Sequence, residues 1–214
     1  MPAPECLILR RKAQDGMQPR WHLYLISFVE GASLMAVELI GAKLVTPAFG
    51  NSIYVWASAL GFTLLGLMAG YFLGGWLSYR YPRRRLLYSL VFVSGIIVAL
   101  MPLTAAAITA GASGLELRLA IMCSEFFILL PPVLLFGTVS PMVIRLVTDN
   151  LAEVGRSAGR IYAISTTGGI FLNFLAGLYL IPFVGVMESA WITAGLLCAT
   201  AGLLLLYKPS TQVS

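Results

Sequence analysis

The sequence predicts an all-α protein, a polytopic bundle of six transmembrane helices with both termini cytoplasmic. Of its 214 residues, 59% are hydrophobic and only 11% are charged, whereas a soluble domain usually carries about 25% charged residues. Six apolar segments are each long enough to cross a bilayer, which takes about 20 residues. Lys and Arg are concentrated in alternate loops, and positively charged loops stay cytoplasmic.

Each helix is bounded by turn-forming or charged residues. The predicted helices cover residues 21–46, 52–79, 86–108, 117–147, 157–182 and 188–207. The turns and loops between them are marked by Pro47, Gly50 and Asn51, by 80–85, by 111–114, by 148–156 and by Gly185. Pro131 and Pro132 lie near the middle of the fourth helix, where we expect a kink because proline removes a backbone hydrogen bond.

The chain divides into a basic N-terminal segment (1–20), the transmembrane domain (21–207) and a polar tail (208–214). The basic residues lie at Arg10, Arg11, Lys12 and Arg20, at Arg80, Arg83, Arg84 and Arg85, at Arg145, Arg156 and Arg160, and at Lys208. The net charge of +5 does not point to nucleic acid, since these residues lie where the positive-inside rule puts them. We interpret those at 80–85, 145, 156 and 160 as a cytoplasmic anchor or docking face for anionic headgroups or a protein. Residues 1–20 lack a signal-peptide core, so we expect insertion into the cell's inner (plasma) membrane to begin with the first helix.

The sequence predicts no catalytic residue, metal site or cofactor. Cys6, Cys123 and Cys198 have no paired spacing, which argues against a disulfide framework or a metal centre. The lone histidine, His22, lies at a helix end and is interpreted as an interfacial aromatic side chain.

Polar side chains at depth are the candidate functional groups, because ionisable residues within a membrane are costly and face a cavity or a partner. Glu38 lies nine residues before Pro47, about 13 Å from the helix end. Glu125 and Asn173 lie at similar distances from the outer ends of their own helices, so we expect one shared layer. Glu30 and Tyr71 define a second, inner layer, which also holds hydroxyl groups: Ser94, Thr138, Ser165 and Thr166.

Two interpretations of these layers stay open. Paired carboxylates attract a cation or polyamine strongly in a low dielectric. Alternatively, each glutamate is protonated or hydrogen-bonded to a neighbour and only fixes packing, with Lys43 a possible partner of Glu38. For Glu30 the structural interpretation is favoured, because hydroxyl groups can satisfy it.

Small residues recur every four positions on three helices, which lets backbones approach closely. They are Gly66, Gly70 and Gly74 on the second helix, Gly169, Asn173 and Gly177 on the fifth, and Gly195 and Ala199 on the sixth. We interpret these stripes as contacts within the bundle rather than between copies.

Residues 31–61 (GASLMAVELIGAKLVTPAFGNSIYVWASALG), 70–80 (GYFLGGWLSYR) and 134–185 resemble the membrane region of membrane-integrated spermidine synthase-like proteins, a family of polyamine aminopropyltransferase-like proteins. The matching positions are Glu38, Pro47, Gly50, Trp56, Gly70, Gly74, Gly75, Pro141, Arg145, Gly155, Arg156, Gly159, Tyr162, Thr167 and Pro182. Residues 75–85 also resemble a loop of major-facilitator transporters, although Ser78 replaces the usual acidic residue. Six helices would match half of such a transporter.

The resemblance implies a membrane module of a polyamine-related system. The soluble domain that holds the family's catalytic aspartates does not follow Tyr207 in this sequence, so we expect a non-catalytic module. It would dock a separately encoded aminopropyltransferase-like enzyme or join a larger membrane complex. The alternative is a small homodimeric transporter or binding protein for a polyamine or another organic cation. An integral-membrane enzyme acting on a lipid-like substrate is the weakest interpretation, because no nucleophile and base are apparent.

Overall fold

The computed structural model describes residues 20–148 and 151–206. Its α-helices are α1 (Trp21–Phe49), α2 (Ile53–Arg80), α3 (Arg84–Gly111), α4 (Leu117–Val147), α5 (Val154–Leu175) and α6 (Val186–Leu206). Short 3-10 turns at Ala112–Gly114 and Leu151–Glu153 precede α4 and α5. The predictions for Cys6, Arg10, Arg11, Lys12, Tyr207, Lys208 and the two terminal segments fall on residues 1–19 and 207–214, outside the described residues.

The prediction of six membrane-spanning helices is confirmed by length and composition. The mean hydropathy of each span lies between 1.6 and 2.3. A span of 28 residues, the length of α2 and of α3, is about 42 Å long and exceeds the roughly 30 Å hydrocarbon core. The bounds of α4 agree with the predicted ones, and the helix continues through Pro131 and Pro132.

The fifth span departs from the prediction of one uniform α-helix. After Leu175 the chain winds into a π-helix, Ala176–Val184, which contains Pro182. Proline has no N–H to donate, and a wider turn is one way for a helix to accommodate a disrupted hydrogen-bond ladder. The turn that follows ends at Gly185, whose φ of 113° is in a region that favours glycine.

Contacts between helices show that successive spans alternate in direction. From Gly66 to Gly74 on α2, the contacted residues advance from Val133 to Thr138 on α4, so these two helices run parallel. The glycine contacts between α1 and α5 join residues 28–35 to residues 165–169 and Leu39 to Gly177, so these two helices also run parallel. At the start of α1, the Arg20 guanidinium donates to the Val147 carbonyl, 2.6 Å away, at the end of α4. The bundle therefore has a basic end, which carries Arg20, 80–85, Arg145, Arg156 and Arg160, and an opposite end.

The glycine stripe of α2 packs inside the bundle, as predicted. An ideal Cβ on Gly74 would lie 2.6 Å from the Thr138 carbonyl oxygen, and one on Gly70 would lie 2.7 Å from the Gly137 Cα. No larger residue fits this approach without a shift of backbone. The interpretation of α6 was wrong: Gly195 is exposed and has nothing within 4 Å of an added Cβ.

Helix α1 is the central helix, with most of its residues buried against α3, α4, α5 and α6. Helices α2 and α5 are the least buried spans. Within the described residues, α2 and α5 each pack on α1 but not on each other. The strip of α1 that lies between them, which includes Glu30 and Glu38, is called the α1 groove below.

Candidate cation site on helix α1

Glu30 lies at the inner layer predicted from the sequence and is almost completely buried, with 2% of its surface exposed. The Ser165 hydroxyl on α5 donates a hydrogen bond to its Oε2 over 3.2 Å. The next residue, Gly31, makes this possible: an added Cβ there would overlap the Ser165 carbonyl oxygen. The close approach of α1 and α5 therefore brings a hydroxyl donor to a carboxylate at the inner layer of the span.

Two tyrosines complete this group. Tyr71 on α2 lies within electrostatic range of Glu30 and of Tyr162 on α5. Tyr71 and Tyr162 are 42% and 47% exposed. Tyr71 precedes Arg80 by nine residues, and Glu30 follows Trp21 by nine, so both lie about 13 Å from the basic end. Glu30, Ser165, Tyr71 and Tyr162 together are called the Glu30 cluster.

Other hydroxyls expected in this layer are bonded within their own helices. Ser94 donates to the Val91 carbonyl and Thr138 to the Leu135 carbonyl, each over 2.7 Å. A hydroxyl bonded to the preceding turn is satisfied locally, so the structure does not bring these two to Glu30. Thr166 is exposed on α5.

Glu38 and Asn173 lie close to one level, as predicted. The Leu39 side chain lies next to Gly177. Glu38 is therefore level with about residue 176, where the π-helix begins, and roughly 5 Å from the level of Asn173. Both side chains are half-buried. Glu38 follows Gly31 by seven residues, two helical turns, so it shares the Glu30 cluster's side of α1. Among the described residues it forms no ion pair with Lys43.

Glu125 is placed differently. It is completely buried, and neither carboxylate oxygen has a hydrogen-bond partner among the described residues. Helices α1 and α4 run antiparallel, and Gly41 meets the Leu129 side chain. This contact puts Glu125 level with about residue 45 of α1, roughly 10 Å nearer the opposite end than Glu38. Distances to the helix ends predicted nearly equal depths for Glu38 and Glu125. The depths differ because those distances ignore the stagger between α1 and α4.

The side chain of Lys43 reaches the opposite end of the bundle, as expected for a lysine near a helix terminus. Its Nζ lies 5.7 Å from the centre of the Trp56 ring, and Trp56 Nε1 donates to Asn51 Oδ1 over 2.9 Å. The Arg118 guanidinium lies 5.2 Å from the Tyr54 ring. These cation–π contacts form an aromatic girdle at that end.

Most of the arginines at the basic end are exposed. Six of the seven predicted anchor residues are exposed, namely Arg80, Arg83, Arg85, Arg145, Arg156 and Arg160, and Arg84 is half-buried. At the same end, His22 is 7% exposed and lies edge-on to Tyr88 at 6.3 Å between ring centres. Its ring thus packs against the aromatic rings of Trp21 and Tyr88.

Tyr162 was missed as a candidate site residue by reasoning from the sequence. It entered only as a position matched by the resemblance. A depth comparison would have found it, since Tyr162 follows Val154 by eight residues and so lies at the level of Glu30 and Tyr71.

Comparison of the chain with protein-family models, with curated proteins and with solved structures gives no match.

The chemistry of the Glu30 cluster suits one class of ligand. A buried carboxylate attracts positive charge in a low dielectric, and the faces of tyrosine rings attract ammonium groups. Serine and tyrosine hydroxyls can either donate or accept hydrogen bonds. The group therefore offers both of the elements that bind an organic ammonium ion.

Proposed function

We propose that this chain is a non-catalytic membrane module that binds an organic cation in the α1 groove. The observation that carries the proposal is Glu30, a buried carboxylate that shares its depth in the span with two half-exposed tyrosines, of which Tyr71 lies within electrostatic range of it. A tyrosine hydroxyl that faces acyl chains at that depth is costly, so a polar ligand or a partner is expected beside it. Glu30 and Glu38 bind the charged nitrogens, and the rings of Tyr71 and Tyr162 cover them.

A polyamine is the proposed ligand. Glu30 and Glu38 are eight residues apart on one helix, about 12 Å along its axis. An extended linear polyamine with ammonium groups at both ends can span two carboxylates at such a separation. The resemblance to spermidine synthase-like membrane regions favours the same class of ligand.

Equilibrium binding of radiolabelled spermidine to the purified chain in lipid nanodiscs tests the proposal. We expect saturable binding that Glu30→Gln weakens at least tenfold, because this change removes the charge and keeps the size. Tyr71→Phe keeps the ring and should bind nearly as well as the wild type, whereas Tyr71→Leu removes the ring and should bind more weakly. Glu116→Gln, an exposed change outside the spans, is the matched control.

Thermal unfolding of each variant in detergent separates loss of binding from loss of fold. If Glu30→Gln unfolds early, Tyr71→Leu carries the test, since Tyr71 is half-exposed. Absence of saturable binding by the wild type, or equal binding by Glu30→Gln, would contradict a cation site in the groove.

A second candidate function is supported by the exposed arginines at the basic end. With that end in the cytoplasm of an inner membrane, and with both termini there, these guanidinium groups would dock an acidic surface of a soluble enzyme or of a membrane complex. Purification in mild detergent followed by mass spectrometry tests this. The wild type should retain a partner that Arg83→Ser/Arg85→Ser loses and Arg118→Ser keeps. Isolation of the wild type without any other protein would count against docking.

A further inference from the structure

Two serines outside the Glu30 cluster lie next to Glu30, and the first is Ser27 on α1. It is three residues before Glu30 and four before Gly31, and residues at these spacings are neighbours on a helix surface. The Glu30 side chain leans toward the turn of Ser27, because side chains of a helix lean toward its N-terminus. Ser27 is 1% exposed, and its hydroxyl has no hydrogen-bond partner among the described residues.

Ser27 differs in this respect from other deeply buried serines of the bundle. The Ser94 and Ser124 hydroxyls each donate to a carbonyl of the preceding turn of their own helix, which satisfies them locally. Ser27 makes no such bond, although it too lies within a helix. A buried hydroxyl without a partner is destabilising, so we expect a polar ligand beside it.

The second serine, Ser140 on α4, is at the level of Glu30 and on the face of α4 that meets α1. Gly41 of α1 meets the Leu129 side chain of α4. Glu30 lies eleven residues before Gly41, and Ser140 lies eleven residues after Leu129. Eleven residues make about three whole turns, so in these antiparallel helices both side chains return to the faces that meet. The hydrogen bond between the start of α1 and the end of α4 shows that the helices stay together beyond this level, and Ser140 is 5% exposed.

The two hydroxyls and the carboxylate suit a cation that carries several N–H groups. A primary ammonium group has three N–H donors and no acceptor, as in a lysine side chain. Glu30 can accept one of these bonds, and the Ser27 and Ser140 hydroxyls can accept the others through their lone pairs. A quaternary ammonium group has no N–H, so it gains only from the negative charge and from the tyrosine rings.

We propose that Ser27 and Ser140 are specificity-determining residues, which make the site at Glu30 select primary ammonium groups over quaternary ones. Glu30 and the two serine hydroxyls each accept one hydrogen bond from the ammonium head. The rings of Tyr71 and Tyr162 cover the carbon chain that follows it. This inference rests on the proposed function, since it requires that an organic cation binds at Glu30.

Competition against radiolabelled spermidine in lipid nanodiscs tests the selection. Hexamethylenediamine and hexamethonium have the same carbon chain, but the first ends in primary ammonium groups and the second in trimethylammonium groups. We expect the wild type to bind the diamine about tenfold more tightly, because hydrogen bonds to a charged group are strong. Ser27→Ala and Ser140→Ala should each weaken binding of the diamine by about threefold or more and leave binding of hexamethonium unchanged.

Two further variants locate the effect. Thr63→Val is the matched control, because Thr63 is also buried on a helix beside the groove and its hydroxyl has no partner among the described residues. It lies eight residues before Tyr71, about 12 Å along α2, so neither affinity should change. Ser33 follows Glu30 by three residues and also has an unpartnered hydroxyl within the described part of the chain. Glu30 leans away from Ser33, so Ser33→Ala should leave both affinities unchanged.

The outcomes separate this inference from the cation site itself. Equal affinity of the wild type for the two ligands, or an unchanged ratio in both Ser27→Ala and Ser140→Ala, would overturn the selection by serines and leave the cation site in place. A larger loss in Ser33→Ala than in Ser27→Ala would overturn the assignment of Ser27. Absence of saturable spermidine binding by the wild type would overturn the proposed function and this inference with it. Thermal unfolding checks the fold of each variant, and if Ser27→Ala unfolds early, Ser140→Ala carries the test.

Discussion

At the scale of single residues, the bundle distinguishes three membrane carboxylates by what surrounds them. Glu30 accepts a hydrogen bond from Ser165, Glu38 is half-buried on the same side of α1, and Glu125 has no partner among the described residues. The sequence alone does not distinguish these three glutamates, because each lies within an apolar helix. Their neighbours in the bundle do distinguish them. The Glu30–Ser165 bond is the polar contact between α1 and α5 that can be tested most directly.

We expect Ser165→Ala to destabilise the bundle by about 1–3 kcal/mol, because it leaves a buried carboxyl oxygen without its donor. Thermal or denaturant unfolding in detergent measures the change. Thr167→Ala is the matched control on the same helix. The Thr167 hydroxyl donates to the Ala163 carbonyl of its own helix and is exposed, so its loss should cost less than about 0.5 kcal/mol. Equal stability of the two variants would show that the Glu30–Ser165 bond contributes nothing.

At the scale of helices, the sequence predicted the helices themselves well, but it predicted poorly how far each helix is displaced along its axis relative to its neighbours. The bounds of α4 and the packing of the α2 glycines can be predicted from nearby residues, because they depend on the hydropathy and size of side chains within one helix. The π-helical end of α5 and the level of Glu125 depend on how neighbouring helices are staggered. Stagger is set by contacts such as that of Gly41 with Leu129, which join residues far apart in sequence.

Adjacent glycines on α2 provide a test of close packing between α2 and α4. We expect Gly74→Ala to cost about 1–3 kcal/mol, because its Cβ would meet Thr138 backbone atoms at 2.6 Å. Gly75→Ala points into open space and should be neutral or stabilising by up to about 1 kcal/mol through helix propensity. Comparison of their unfolding midpoints is the measurement, and a neutral Gly74→Ala would mean that α2 and α4 are not in close contact there.

At the scale of the whole molecule, the alternation of helix direction makes the two ends of the bundle chemically different. Arginines are concentrated at one end, and the cation–π contacts of Lys43 and Arg118 lie at the other. A bilayer with its cytoplasmic face at the basic end satisfies the positive-inside rule.

Cysteine labelling in intact cells checks this orientation. In a chain whose native cysteines are replaced, Asn51→Cys is exposed at the opposite end and Tyr79→Cys at the basic end. We expect a membrane-impermeant maleimide to label the first in intact cells and the second only after the membrane is opened, because charged loops stay inside. Labelling of Tyr79→Cys in intact cells would reverse the proposed orientation.

Helices α2 and α5 flank the α1 groove without packing on each other, and this suggests how the molecule could assemble. Tyr71 and Tyr162 are 42% and 47% exposed at a depth where acyl chains cannot accept hydrogen bonds from their hydroxyls, so we expect a polar or helical surface to cover them. A second copy placed groove to groove would do so and would give twelve spans around the two Glu30 clusters.

Leu64 shares the face of Tyr71, two helical turns away, and is 66% exposed. In a chain whose native cysteines are replaced, Leu64→Cys should therefore form a disulfide-linked dimer in the membrane. Leu103→Cys, equally exposed on α3 at 66%, faces away from the groove and should stay monomeric. Equal cross-linking at the two positions would mean that collision in the membrane, not a specific interface, joins the chains.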